Sequence, residues 1–439
     1  MAVGLHPKLK EALVGALAET LPSVEVIRGI AVTSESSQRL RTLDSSLPKH
    51  GDIAEKLQRW ISDQPFSDFL VGKINTELMD DVYEDGSNQP IAGVPGWSDL
   101  GAKATELVEQ FDELPEAYIV SISAPDGMEK YLEATNGELR IAGAVRIALA
   151  TESFAHEHPV STGSEQRDRN VWDHTLLGGL LSTGTSNYEW KGAYLQIIKQ
   201  GFVGRFTETA TEHDIVGEFK ALWGVQLALG LAQRRRSWSA YPTKRKLIVH
   251  RVAGSNLELR LRIELDAEAS QLIDDLKFND WVPGDHPLET KLGVYRLDLD
   301  KLDLIFGTSL EAERLRLAAR WLFDSYATDN ELLAYVQAMV CLEIILGDAS
   351  LIGEIGLGEL LRNRCAYLIG RTSVQRGEIL QDFREIYDVR SHIVHRGKSR
   401  MSAREREHYG KLVWYCKRCI QEELKLLEQA KKEDAQTAT

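Results

Sequence analysis

The sequence predicts a chain of two textures, an α+β N-terminal region followed by an all-α helical bundle. Three observations predict it. Up to about residue 305, helical stretches alternate with short apolar runs of strand character, separated by Gly- and Pro-rich turns. From Ser309 onward apolar residues recur at three- and four-residue spacing. With 439 residues, of which 43% are hydrophobic, the chain can bury substantial cores and has room for about two or three domains. The expected division is therefore 1–305 as a mixed region (1–110 helical, 111–305 α+β), 306–430 as a helical domain, and 431–439 as a flexible tail.

The elements follow in order. Leu5 to Leu21 has helical spacing, and Gly51 to Leu78 reads as one or two helices broken near Pro65. Asp81 to Trp97 carries Gly86, Pro90, Gly93, Pro95 and Gly96, which makes it a loop. Ser98 can cap a helix running to about Phe111. Glu116 to Ser123 and Leu139 to Leu149 read as strands. Thr151 to Asn170 is polar and rich in turn formers; it holds His156 and His158, with His174 beyond. An H-x-H with a distant His can bind a metal if strands gather it, but no carboxylate or thiol stands at convincing spacing, so a surface loop is expected. Ile215 to Arg234 reads as a strongly apolar helix. Lys246 to Val252 and Leu257 to Leu265 form a hairpin across Gly254-Ser255-Asn256, and Leu292 to Leu299 reads as a further strand. Helices are then expected at Ser309–Tyr326, Asn330–Leu346, Leu357–Leu368, Val374–His395 and Ala403–Gln429.

Composition narrows the function classes. A net charge of −14 argues against a nucleic-acid coat protein. Between Leu360 and Ile420, however, fourteen Lys or Arg face six Asp or Glu, a local excess suited to phosphate contacts. Arg234, Arg235 and Arg236, interleaved with Trp238 and Tyr241 and followed by a second basic run to Lys246, could grip phosphates while stacking bases. In both segments the residues alone leave a solvated, charged surface open as the other reading. No run approaches the roughly 20 apolar residues of a membrane span. The N-terminus has no basic segment followed by an apolar core, so no signal peptide and a cytoplasmic location are expected. All four cysteines, Cys341, Cys365, Cys416 and Cys419, lie in the last hundred residues. Cys416 and Cys419 form C-x-x-C inside a helical run, with no second pair to complete a zinc site, so buried thiols and no metal are expected.

The most informative stretch is I-L-Q-D-F-R-E-I-Y-D-V-R-S-H-I-V-H-R-G-K, Ile379 to Lys398. Phe383, Ile386, Tyr387, Val389, Ile393 and Val394 mark a helical stripe, and Gly397 suits its end. Arg390 falls in the middle of that stripe. A guanidinium there needs a partner, because an unpaired buried charge costs several kcal/mol. Glu343, in the apolar run V-C-L-E-I-I-L, is a second charge in the wrong place, and pairing the two resolves both. His395 completes R-x4-H, with Asp388, Ser391 and His392 around it.

This motif, with Y-D-V before it and Gly after it, resembles the HEPN superfamily, in particular the Apea-like HEPN domains, whose signature is R-x4-6-H. The resemblance covers about the last third of the chain and includes the upstream helix bearing L-E-I-I-L-G. The first 300 residues resemble no family that we can name. Ser391 stands where many catalytic members carry Asn, Asp or His.

The resemblance implies a HEPN-like helical bundle, a homodimer in which two motifs share one cleft, and endoribonuclease activity without cofactor or metal. It further implies Arg390 on the phosphate, His395 as acid or base, and Glu343, Asp388, Ser391 and His392 in support. Arg396 and Lys398 would contact RNA beside the motif, and Arg234, Arg235, Arg236 and Trp238 at a distance from it. A toxin or phage-defence role is implied, with a trigger ligand or regulatory partner at the N-terminal region. Its alternative is a catalytically inactive dimerisation module that binds RNA or a partner.

Overall fold

The computed structural model describes residues 2–27, 31–78, 88–133, 135, 137–141, 144–160, 189–235, 244–279, 286–347 and 356–437. His174, Arg236, Trp238 and Tyr241 lie outside them.

The described residues up to Leu114, joined by Phe202, close around a separate core. Helices α1 (Pro7–Thr20), α2 (Ser34–Arg41), α3 (Asp52–Trp60), α4 (Pro65–Leu78) and α5 (Leu100–Asp112) surround a small antiparallel sheet. Its strands β1 (Glu25–Ile27), β2 (Ala31–Val32) and β3 (Asn88–Pro90) are ordered β2-β1-β3. These short strands are additions to an expected helical region. Pro65 opens α4, where its missing N–H leaves no helical bond unmade. Asp99 rather than Ser98 caps α5, accepting from the Ala102 amide. Leu13 and Leu17 of α1 meet Phe66, Phe69 and Phe111 in this core. The Phe66 and Phe69 rings stand edge-on to Phe111, with centroids 4.9 and 5.2 Å away.

A six-stranded antiparallel sheet follows. Its strands are β4 (Glu116–Ser123), β5 (Glu138–Ile141), β6 (Val145–Leu149), β7 (Ala193–Gly201), β9 (Lys246–Ala253) and β10 (Asn256–Glu264), in the order β10-β9-β4-β7-β6-β5. The helices of this part are α6 (Glu129–Glu133), α7 (Glu152–Glu157), α8 (Ala210–Leu229), α9 (Ala267–Asp275) and α10 (Leu288–Leu299). A two-stranded ladder pairs β8 (Ala232–Arg234) with β11 (Leu276–Phe278). Alternation decides the faces of the sheet. Tyr118, Val120, Leu195, Ile197, Leu247 and Val249 point to α8, while Ser121, Gln196, Ile248 and His250 point to the other side.

Four expectations are corrected here. The apolar helix ends at Leu229, not Arg234, because Gly230 turns left-handed (φ 79°) and Ala232–Arg234 finds strand partners. Leu292 to Leu299 is helical: its buried residues Leu292, Tyr295 and Leu299 are spaced three and four apart. Leu139 to Leu149 is a hairpin of two strands, and Thr151 caps the short helix α7. β7 is an addition to the expected strands.

The last part is helical: α11 (Leu310–Ala327), α12 (Glu331–Leu346), α13 (Leu357–Ile369), α14 (Ser373–His395) and α15 (Ala403–Thr437). Each begins and, except for α15, ends within one or two residues of expectation. α15 continues to Thr437 through the expected flexible tail, in a stretch of good helix formers with a Lys432–Glu428 pair at 2.6 Å. One hydrophobic cluster extends from Tyr118 to Leu424, across residue 305. α8 lies between the sheet and α11. Gly224 permits that contact, since a Cβ there would stand 1.9 Å from the Ala319 carbonyl oxygen. Among the described residues no helix is long and apolar enough to cross a membrane.

Candidate functional site

α14 carries the R-x4-H motif. Thr372 caps it in a reciprocal capping box with Gln375, and Gly397, left-handed at φ 62°, follows its last turn. Ile379, Phe383, Ile386 and Val389 bury its apolar face inside the bundle.

Arg390 sits at the edge of that face, half-buried. Its Nη2 lies 3.3 Å from Glu343 Oε1 on α12, and about a fifth of each side chain is exposed. The pair suggested by the sequence is therefore formed within one chain. Burial pushes the Glu343 carboxyl above its ordinary value, and the guanidinium offsets only part of this. The Arg390 guanidinium carbon also stands 5.8 Å from the Tyr387 ring centroid. Tyr387 in turn packs on Gly358 of α13, where a Cβ would come within 3.2 Å of the ring. The Y-D-V context thus has a structural meaning: Tyr387 flanks the arginine, and Val389 anchors the turn that carries it.

Tyr335 is a component with no signal in the sequence. It is fully buried on α12, and its hydroxyl donates to the Ile386 carbonyl at 2.9 Å. In an α-helix that carbonyl also receives the N–H of residue 390. Tyr335 therefore holds the backbone turn from which Arg390 projects. It would have been visible only to a reading that knew α12 and α14 are neighbours.

His395 is exposed at the end of α14. It follows Arg390 by five helical steps, about 140° of rotation and about 7.5 Å of rise. One chain therefore does not aim the two side chains at a common point. His392 is half-buried, with Nδ1 3.8 Å from Asp388 Oδ2. Ser391 is half-buried. A further imidazole, His408 of α15, is buried with Nε2 3.2 Å from Glu385 Oε2, and its Nδ1 has no hydrogen-bond partner.

Ion pairs sort the basic surface. Lys398 is held by Glu405 at 2.6 Å, Arg404 by Glu385 at 3.0 Å, Arg406 by Glu331 at 2.8 Å and Lys411 by Asp382 at 2.6 Å. Arg384, Arg396 and Arg400 are exposed and make no ion pair among the described residues. Two of them flank the turn after His395.

In the distant basic segment the expectation is corrected at Arg234 alone. Arg234 is a strand residue whose Nε meets the nearly buried Asp275 at 3.1 Å and whose guanidinium also donates to the Tyr326 carbonyl. It ties β8 to α11 and does not face solvent as a phosphate ligand would. Arg235 is exposed. Arg236 and Trp238 are outside the described residues. The four cysteines are free thiols buried in the bundle; Cys416 donates to the Ala338 carbonyl at 3.2 Å, and Cys365 and Cys419 lie 3.8 Å apart. Of the H-x-H pair, His156 is exposed on α7 while His158 is buried against Gln196. Among the described residues no group of three or more His, Cys, Asp or Glu is arranged to hold a metal.

No family model, curated protein or solved structure matches this chain.

Proposed function

We propose that this protein is an endoribonuclease of the HEPN type, acting as a homodimer whose two motif helices complete one site. The observation that carries the reading is the divergence of Arg390 and His395. A fixed arginine and an exposed histidine about 140° apart on one helix can act on one phosphate only if a second copy brings its own pair to the same cleft. RNA supplies its own nucleophile. His395 takes the 2′-hydroxyl proton, the 2′-oxygen attacks the adjacent phosphorus, and the 5′-oxygen leaves with a proton returned by an imidazole. The products are a 2′,3′-cyclic phosphate end and a 5′-hydroxyl end. Arg390 stabilises the charge gathering on the phosphate oxygens, and Glu343 and Tyr335 fix where it points. Arg384, Arg396 and Arg400 supply phosphate contacts around the cleft. A role in limiting growth or phage infection by RNA cleavage goes with this reading.

The engagement of Arg390 by Glu343 favours a second reading, an inactive dimerisation module that binds RNA through the same surface. Cleavage assays separate the two. Purified protein should cut RNA in the presence of EDTA. His395→Ala should slow cleavage by roughly 10²–10⁴-fold with RNA binding nearly intact, and His392→Ala should cost much less. Intact RNA after long incubation with wild type would leave the binding module as the function. Equal losses in the two histidine variants would mean that the wrong imidazole is assigned.

A further inference from the structure

The loop that follows β7 gathers several features that packing alone does not call for. Phe206 has φ 57°, and no other non-glycine among the described residues has a positive φ. A bulky side chain in that region is strained by roughly 1–2 kcal/mol. The ring is nonetheless 59% exposed, so burial does not repay the strain. The loop is clamped from behind. Gly204 meets Gly72 of α4 so closely that a Cβ on Gly72 would lie 2.8 Å from the Gly204 Cα. Asn75 of α4 donates to the Arg205 carbonyl at 3.1 Å and accepts from the Val32 amide at 2.8 Å. The hydroxyl of Thr207 is buried without a hydrogen-bond partner. In front of this loop lies a cavity of about 240 Å³, lined by Arg41, Asp68, Val71, Phe206, Thr207 and Glu208 among others.

We infer that this cavity binds a small basic amino acid. The lining carries one cation and two anions. Arg41 is exposed and makes no ion pair among the described residues. Asp68 accepts only from Ser62 at 2.5 Å among the described side chains, and Glu208 is 90% exposed with His213 4.0 Å away. A basic amino acid has the complementary set, one carboxylate and two cationic groups. Its carboxylate pairs with Arg41, its two cations with Asp68 and Glu208, and its methylene stem lies between Val71 and the Phe206 ring. An exposed aromatic ring beside two carboxylates also suits an ammonium by its negative face. The volume suits a ligand of this size and is small for a nucleotide with its phosphates. The site joins α2 and α4 to the loop from the large sheet, and it is independent of the nuclease reading.

Isothermal titration of the full chain with L-lysine tests it, with cadaverine and L-norleucine as analogues lacking the carboxylate or the second cation. L-Lysine should give saturable one-to-one heat, and each analogue should bind roughly tenfold or more weakly, as loss of one charged hydrogen bond requires. Arg41→Ala should weaken L-lysine to the level of cadaverine while leaving cadaverine unchanged. Phe206→Gly should raise the unfolding midpoint, because glycine relieves the left-handed strain, and should weaken L-lysine binding. No saturable heat with L-lysine at millimolar concentration, or cadaverine bound as tightly as L-lysine, would overturn the proposal. So would a Phe206→Gly variant that binds L-lysine like wild type.

Discussion

Removing the two ends of the Arg390–Glu343 pair should have unequal effects, and the structure says which is worse. At 3.3 Å the bare attraction is about 5 kcal/mol at an effective dielectric near 20. For the Glu343 carboxylate burial outweighs this attraction, as its raised carboxyl shows. Breaking a fully buried pair costs about 3–5 kcal/mol, and an exposed pair is worth about 0.2–1 kcal/mol. With about a fifth of each side chain exposed, Glu343→Gln should cost about 1–3 kcal/mol. The arginine it leaves behind cannot shed its charge. Arg390→Met leaves a carboxyl that can take up a proton, so its cost should depend on pH. Without the guanidinium the folded-state carboxyl rises further above its unfolded value. The variant is therefore near wild type below the ordinary carboxylate range and loses stability as pH rises through the raised value, by about 1.4 kcal/mol per unit. Urea unfolding at pH 5 and pH 8 measures both, since guanidinium chloride would screen the charges. If Arg390→Met costs as much at pH 5 as at pH 8, or Glu343→Gln costs under about 0.5 kcal/mol, the account of this pair fails.

Other outcomes follow from the same physics. Tyr335→Phe removes the hydroxyl that holds the Ile386 carbonyl and should cost about 1 kcal/mol in urea unfolding; if Arg390 acts in cleavage, the rate should fall more than RNA affinity. Burial pushes His250 down to about 4 from its ordinary 6.5. Its neutral form is favoured in the fold, so stability is full above about 6.5 and falls as pH drops through that window, by at most about 3.4 kcal/mol. His250→Phe also loses the bond to the Pro159 carbonyl, so in a pH series its stability difference from wild type should change with pH in that window and stay constant above pH 7. Glu212 has the opposite sign. Burial lifts its carboxyl to about 8 from 4.5, so stability is full at low pH and is lost as pH rises through that range. Glu212→Gln should therefore be more stable than wild type at pH 8.5, by at most about 5 kcal/mol, and a destabilised variant at that pH would contradict it.

The helical part was legible because its signals are local. Caps, a closing glycine and three–four spacing lie on the same few residues they organise, as Thr372, Gln375 and Gly397 show for α14. The Arg390–Glu343 pair was legible because each charge interrupts an apolar stripe. Leu292 to Leu299 was misread because V-Y-R-L-D-L fits an alternating pattern while its buried residues fit a helical one. The short ladder of β8 with β11 joins segments far apart in sequence, and Arg234 looked like a solvent charge until that ladder placed it beside Asp275. Tyr335 and Phe206 carry no pattern at all. One acts through a single long-range hydroxyl bond, the other through a backbone angle.

The single hydrophobic cluster that spans the sheet and the last five helices has a consequence for how this chain can be cut and recombined. A fragment starting at residue 306 would present to water the side of α11 that now meets α8, with Ala319, Leu322 and Phe323 among its buried residues. Such a fragment should aggregate or recruit another apolar surface rather than behave as a portable module. The motif helices are thus not a cassette on a tether. Any change that shifts α8 reaches them through packed side chains, with no linker to absorb it.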